Sequence, residues 1–212
     1  VLSNELSVTT TNSNPTVSIL SYPNINSANK TAYTVSGACS ENTRVVTVNV
    51  GGVVATPTCT ALAWSATLNV SAVADSATVA ITATHVNSGG NSISANRTVS
   101  KDATDPTVAI TSSPAIRNSN KAAYTVSGTC SENTRTVSVI IGGFGASPVC
   151  TGLAWTTTID ATSIADSATV AISADHTDAA GNNATQATTT VPATFVRIQN
   201  TLLQSLGNRQ LV

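Results

Sequence analysis

Four cysteines and two histidines are the residues of this chain best suited to chemistry, and all six obey one spacing. Cys39 and Cys59 stand 20 positions apart, and so do Cys130 and Cys150. The second pair follows the first by 91 positions (130 − 39), and His176 follows His85 by the same 91 (176 − 85). A thiol pair that recurs at one separation is most simply one disulfide per copy. The rival reading is a metal site, but that needs four ligands, usually in close Cys-x-x-Cys pairs, and these cysteines are isolated. The histidines would need acidic partners to hold a metal. Asp175 and Asp178 lie near His176, yet their counterparts near His85 are Thr84 and Asn87. A site belonging to the repeated unit would keep its acids in both copies, so each histidine reads as the end of a strand beside a loop.

The remaining candidates have modest readings. Asp75 and Asp166 stand in matching Ala-Asp-Ser segments, where aspartate caps a turn through backbone amides. Glu41 and Arg44, with Glu132 and Arg135, recur just after the first cysteine of each copy. They read as a solvated turn, a pair across that turn, or a reach toward a neighbouring domain. Asp102 and Asp105 between the copies could contribute to a calcium site, but a hard cation takes six or more oxygens and this stretch offers few. Lys30, Lys101 and Lys121 are the candidates for an isopeptide link, with nothing in the sequence to place them in a core. Asn29, Asn69, Asn96 and Asn183 begin N-x-Ser/Thr sequons, which matter in a secreted eukaryotic setting. No serine carries a repeated His/Asp pair, no glycine loop is built to cradle phosphate, and no paired carboxylates mark a pocket. Neither an enzyme nor a cofactor is expected.

The elements that must carry these residues repeat too. Pro15-Thr16-Val17 returns as Pro106-Thr107-Val108, and Ala32–Gly37 returns as Ala123–Gly128. Trp64 returns as Trp155, and the match runs ungapped to about Thr98 and Thr189. A fixed-pitch repeat of this size means two copies of one domain in series. The expected organisation is an N-terminal extension (1–14), domain 1 (15–101), a linker (102–105), domain 2 (106–191) and a C-terminal tail (192–212). Within each copy short alternating runs are split by turns. Tyr33, Val35, Gly37 and Cys39 share one face; Leu62, Trp64, Ala66, Leu68 and Val70 share another; Val79, Ile81, Ala83 and His85 alternate along a third. Tyr33, Trp64, Tyr124 and Trp155 are the expected core aromatics. About seven short strands in some 90 residues argue for an all-β, immunoglobulin-like sandwich, twice over. The cysteine spacing is too short for the antibody-type bridge. Pro106 fixes φ and donates no hydrogen bond, so an extended, semi-rigid pair is expected.

Composition narrows the setting. Charged residues are 9% of the 212, where about 25% is usual, and the formal net charge is −1. There is no basic face for nucleic acid and no apolar run near the ~20 residues of a membrane span. Polarity comes from Ser, Thr and Asn, which suits a surface protein better than a cytosolic enzyme. Disulfides would place it in an oxidising compartment. Methionine is absent even at position 1, as processing would leave it.

Four segments of the second copy are specific: Ser-Gly-Thr-Cys-Ser-Glu-Asn (127–133), Leu-Ala-Trp-Thr-Thr-Thr-Ile-Asp (153–160), Ile-Ala-Asp-Ser-Ala-Thr-Val-Ala-Ile (164–172) and Asp-Ala-Ala-Gly-Asn-Asn (178–183). They resemble the tandem bacterial Ig-like (Big-type) repeats of large surface adhesins and fibres. The joint Lys101–Val108 is similar to the inter-repeat linker of those arrays. The resemblance implies a spacer or presenter on a cell surface and names no host or surface ligand. Outside the repeat, Leu2, Leu6 and Val8 share a parity in the first segment. Phe195, Val196, Ile198, Leu202 and Leu206 crowd the last, where strand and helix periods fit equally well. Such ends are expected to dock on neighbouring copies, by strand addition to a sheet edge. The combined expectation is a non-enzymatic extracellular fibre subunit that self-associates. Rivals are a stalk fragment of a longer adhesin and a glycan-binding module, the last requiring exposed tryptophans. If all four cysteines are bridged, the intact mass without reductant will be lower than the reduced mass by four hydrogens; equal masses would mean free thiols.

Overall fold

Branched Val and Thr residues suit a pleated, half-buried surface, and strands dominate the result. The computed structural model describes residues 14–195. The chain divides into two compact units between Thr104 and Asp105.

In the first unit the strands are β1 (Val17–Ser21), β2 (Tyr33–Cys39), β3 (Val46–Val50), β4 (Val53–Ala55), β5 (Ala63–Leu68), β6 (Ser76–Val86) and β7 (Ser92–Lys101). They form two sheets, ordered β1-β2-β5 and β4-β3-β6-β7, with antiparallel neighbours throughout. The second unit has β8 (Val108–Ser112), β9 (Ile116–Arg117), β10 (Tyr124–Cys130), β11 (Val137–Ile141), β12 (Phe144–Ala146), β13 (Ala154–Ile159), β14 (Ser167–His176) and β15 (Ala187–Thr194). Its sheets are β13-β10-β8 and β12-β11-β14-β15-β9. The short β9 pairs in parallel with the end of β15, as Ile25 does with Lys101 in the first unit.

Period-two alternation puts one row of each strand inside. Tyr33, Val35 and Cys39 from β2, and Trp64, Ala66 and Leu68 from β5, meet Val46, Val48 and Val50 from β3 and Val79, Ile81 and Ala83 from β6. The second core repeats the plan around Tyr124, Trp155 and Ile172. Leu62 departs from its expected face. It sits at φ 61° in the turn before β5, 52% exposed, and Leu153 does the same in the second unit. The turn that brings the chain back to β5 ends the alternation one residue before the strand begins.

The repeat is not ungapped. Ile81 faces Arg97 across β6 and β7, whereas Ile172 faces Thr189 across β14 and β15. The offset is 91 on the first strand of each pair (172 − 81) and 92 on the second (189 − 97). The preceding loops still match at 91: Asn87 N–H donates to Asn91 O, and Asp178 N–H to Asn182 O. The added residue therefore lies after Asn182. Residues 184–190 are Ala-Thr-Gln-Ala-Thr-Thr-Thr, too uniform to fix a register by identity. Burial fixes it instead. Val99 and Val191 are both 5% exposed, and a one-residue slip would turn Val191 to solvent. The last strand also continues through Thr194, past the expected end at 191.

Trp64 lies over Gly37, and Trp155 over Gly128. A Cβ at Gly37 would stand 1.7 Å from Ser18 O and 2.8 Å from the Trp64 ring; one at Gly128 would stand 1.8 Å from Ala109 O and 2.6 Å from the Trp155 ring. The indole N–H of Trp64 donates to Ser18 O and Ala38 O, and that of Trp155 to Thr129 O. Tyr33 and Tyr124 are fully buried and donate to Pro23 O and Pro114 O. Burial pushes the Tyr33 phenol up to about 12. Replacing Gly128 with Ala should cost about 3 kcal/mol by forced overpacking. Gly145→Ala, whose Cβ meets nothing within 4 Å, should be neutral or slightly stabilising. Urea denaturation of the two variants checks the contrast, and equal losses would remove the close approach of Ala109 O and the Trp155 ring to Gly128 as the cause.

Candidate functional site

The cysteines pair as Cys39–Cys59 and Cys130–Cys150, with Cα atoms 6.1 Å apart in each bridge. Cys39 ends β2 in one sheet. Cys59 lies in the segment that pairs back onto the approach to β3: its N–H donates to Arg44 O, and Thr43 N–H donates to its carbonyl. Each bridge thus joins the two layers at one end of its unit.

The Ser-Glu-Asn-Thr-Arg motif gathers around that bridge. Ser40 Oγ accepts from Thr16 N–H, and Asn42 Oδ1 from Leu62 N–H. Glu41 Oε2 accepts from Ser88 N–H at 2.8 Å, and its bonds from Ser88 hold the carboxyl below its ordinary range. Arg44 donates through Nε to Val86 O and through Nη2 to Asn87 O. The second unit repeats all of it: Ser131 with Thr107, Asn133 with Leu153, Glu132 with Ala179, Arg135 with Thr177 and Asp178. Glu41 and Arg44 are therefore neither a solvated turn nor a pair with each other. They clamp the loop after β6 by bonding its backbone. Nothing in the local sequence signals this, because the partners are amides and carbonyls about 42–47 residues away.

The aspartates also do something other than cap their own turns. Asp75 Oδ1 accepts from Lys101 Nζ at 2.6 Å, and Oδ2 accepts from the Thr104 hydroxyl. The Lys101 side chain is 4% exposed and Asp75 35%. Lys101 is thus in the core, where nothing in the sequence places it. The bond from Lys101 is the main reason the Asp75 carboxyl is held below its ordinary range, with burial opposing it. Asp102 N–H donates to Ile25 O, and Lys30 Nζ reaches Ala103 O at 3.3 Å. Residues 102–104 are thereby tied to the first unit. In the second unit Asp166 accepts from Phe195 N–H at 2.7 Å, and Lys121 Nζ lies 4.7 Å from the centre of the Phe195 ring. The counterpart of Lys101 by register is Ala193, 2% exposed. Among the described residues the second unit has no ion pair at this corner.

Phe195, grouped by sequence with the tail, packs against the core of its own unit. Leu2, Leu6, Val8, Val196, Ile198, Leu202 and Leu206 lie outside the described residues. His85 and His176 are buried, opposite Val46 and Val137. His176 Nδ1 lies 3.4 Å from Thr136 O, and no described residue bonds either ring nitrogen of His85. Asp178 is engaged by Asn182 through both carboxylate oxygens. Among the described residues no group of three or more His, Cys, Asp or Glu could hold a metal ion, Asp102 and Asp105 included. No helix of the described residues is long and apolar enough to cross a membrane.

Two sheets, three strands over four in the first unit and three over five in the second, mostly antiparallel, with the cysteines, tryptophan and tyrosine facing inward: the layout decides the fold. Each unit is an immunoglobulin-like β-sandwich. The fibronectin type III-like modules of Clostridium thermocellum CbhA share it, with a TM-score of 0.51 at 16% identity over 87% of this chain and 97% of that one. A Ca²⁺-stabilized adhesin of an Antarctic bacterium matches with a TM-score of 0.50 at 22% identity over 87% of this chain. A 1.5-MDa bacterial ice-binding adhesin scores 0.48 at 22% identity over 86% of this chain. The chain spans 49% of the Antarctic adhesin structure and 65% of the 1.5-MDa one, less than two thirds of each. At such identities the likeness shows the fold alone. No protein-family model matches the chain, and no curated protein matches it in sequence.

Asp75→Asn leaves the Lys101 ammonium without its carboxylate. The loss should exceed the ~1 kcal/mol of an exposed pair and fall short of the ~5 kcal/mol of a fully buried one. Adding Lys101→Ala, as in the second sandwich, should recover most of it. A depressed carboxyl contributes stability that is present above its unfolded value near 4 and lost as pH falls through its lower folded value. Urea midpoints at pH 7 and pH 3 should therefore differ more in the parent than in Asp75→Asn.

Proposed function

We propose that the chain is a non-enzymatic building block of a bacterial extracellular surface structure, a fibre or array whose copies join through their terminal segments. The observation that carries this reading is the duplicated use of polar side chains. The Ser-Glu-Asn-Thr-Arg motif that both sandwiches keep is engaged in bonds to the backbone of its own unit. The repeat therefore serves to make one stiff, bridged module twice, which is what a structural protein needs. Two disulfides support an oxidising compartment, outside the cytosol. The low charge and neutral hydroxyl surface support an extracellular setting. Pro106 at the joint supports a semi-rigid pair of domains bounded as 15–101 and 106–191 in sequence, with the second extended to Phe195.

The terminal segments carry the specific part of the proposal. Leu2, Leu6 and Val8 at one end, and Val196, Ile198, Leu202 and Leu206 at the other, are apolar side chains outside the repeat. An apolar strand added to an exposed sheet edge gains main-chain hydrogen bonds and a hydrophobic seam together. A second reading, a spacer within a longer adhesin, is favoured by the fold shared with the ice-binding adhesin of the Antarctic bacterium. It predicts an extended monomer.

Removing residues 1–13 or 196–212 should leave a folded protein that no longer assembles, while the full chain forms filaments or oligomers visible by electron microscopy. Unchanged assembly of both truncations would refute the terminal-segment reading. A full chain that stays monomeric and elongated by small-angle scattering would select the spacer.

A further inference from the structure

The first sandwich carries a groove whose lining the second does not repeat. It lies beside the β6–β7 pair, has a volume of ≈ 560 Å³, and is lined by Tyr22, Ile81, Thr82, Asn96, Arg97 and Thr98, among others. That volume is within the ~300–1,000 Å³ usual for small-ligand sites. By register, the second unit has Ser113, Ile172, Ser173, Thr188, Thr189 and Thr190 in these places. The aromatic ring, the guanidinium and the amide are all gone. A sandwich of this design folds without them, so folding does not account for their presence in the first.

We infer that this groove binds an acidic sugar, a pyranose bearing a carboxylate, as in a uronate-containing polysaccharide. The aromatic supply of the chain is small, and most of it is spent inside. Trp64, Trp155, Tyr33 and Tyr124 are buried, whereas Tyr22 stays half-buried at the edge of its core. The buried tryptophans remove the expected route to glycan binding, and Tyr22 offers another. Its ring has the Arg97 guanidinium 5.8 Å from the centroid. Tyrosine presents a flat apolar face to the C–H side of a sugar ring while its hydroxyl remains in water.

Arg97 supplies the charge selection. Its side chain is exposed, and Nη1 donates to Asn96 O at 2.9 Å. Among the described residues no carboxylate pairs with it; the ion pair found there is Lys101 with Asp75. A guanidinium stacked near a ring and spared a protein acid is suited to take a ligand carboxylate with two parallel N–H donors. Asn96 is oriented by the Thr82 hydroxyl, which donates to its Oδ1 at 2.9 Å. That leaves the amide NH₂ to donate to sugar hydroxyls, with Thr98 alongside as donor or acceptor. Stacking, a bidentate carboxylate contact and neutral donors in one open groove are the elements of acidic-sugar recognition. This inference stands apart from the assembly reading, since it uses none of the terminal segments.

The test is titration of the full chain, made in a bacterial host so that Asn96 stays unmodified, with tri-galacturonate, its carboxyl-reduced neutral counterpart, and a short poly-glutamate peptide. Amide chemical shifts or calorimetry give the affinity. Tri-galacturonate should bind at least about tenfold more tightly than the neutral sugar, equivalent to ~1.4 kcal/mol, and more tightly than the peptide. Arg97→Ala and Tyr22→Ala should each weaken it about tenfold or more. Arg97→Lys, which keeps the charge and loses the fork, should also weaken it, while Thr189→Ala in the second sandwich should leave it unchanged. Circular dichroism shows whether each variant is folded. No binding of tri-galacturonate, equal binding of the neutral sugar or the peptide, or indifference to both Tyr22→Ala and Arg97→Lys in folded protein would each overturn the assignment.

Discussion

A cross-link between layers is the constraint on which each half of this molecule depends. With only seven aromatic residues in 212, a sandwich of Val, Ala, Thr and Ser buries little apolar area per residue, and small cores leave thin margins. The bridge from Cys39 to Cys59 compensates by restricting the unfolded chain, an effect of about 3 kcal/mol for a loop of this length on the entropic model. Its placement matters as much as its strength. It joins the end of β2 to the segment after β4 that pairs onto the approach to β3, so the two sheets cannot slide at that end. The indole over Gly37 then fills the space next to the same strand, and the buried Tyr33 ties it to Pro23.

Around the bridge, polar groups behave as fasteners. Ser40, Glu41, Asn42 and Arg44 each bond a main-chain group elsewhere, and so do their repeats. Buried or half-buried backbone needs partners, and a protein with few charged residues spends them where a loop would otherwise be free. The corner at the end of each sandwich shows two solutions to one problem. The first uses Lys101 with Asp75, the second Ala193 with Phe195 nearby. That both close the same corner agrees with the general finding that an ion pair in a core can be exchanged for apolar packing.

Much of the fold was legible because it depends on short-range patterns. Alternation in Tyr33–Cys39 and Val79–His85 marks the inner faces directly, and the duplicated cysteines fix their own pairing by spacing. What was not legible depends on distance or on turn geometry. The partners of Glu41 and Arg44 are backbone atoms, which carry no residue identity. Leu62 satisfies the alternation yet lies in a left-handed turn outside it. Asp75 looks like a turn residue until Lys101 is brought beside it by β6 and β7. The one-residue register change was visible in principle, since Thr98-Val99 aligns with Thr190-Val191. It was hidden by a second match, Thr98 with Thr189, in a run of threonines. The groove at Tyr22 was not legible because the repeat marks what the copies share, and this feature belongs to one.

The bridges also set how each sandwich would respond to tension. Force applied along the chain can straighten a polypeptide by at most about 3.5 Å per residue. The 20-residue span from Cys39 to Cys59 is shunted by a covalent link whose Cα atoms are 6.1 Å apart. Roughly 70 Å of contour is therefore withheld from extension in each unit, and the same holds between Cys130 and Cys150. A stretched molecule would lengthen in two steps, each short of the full length of its domain, and the shielded strands β3 and β4, with β11 and β12, would carry none of the load.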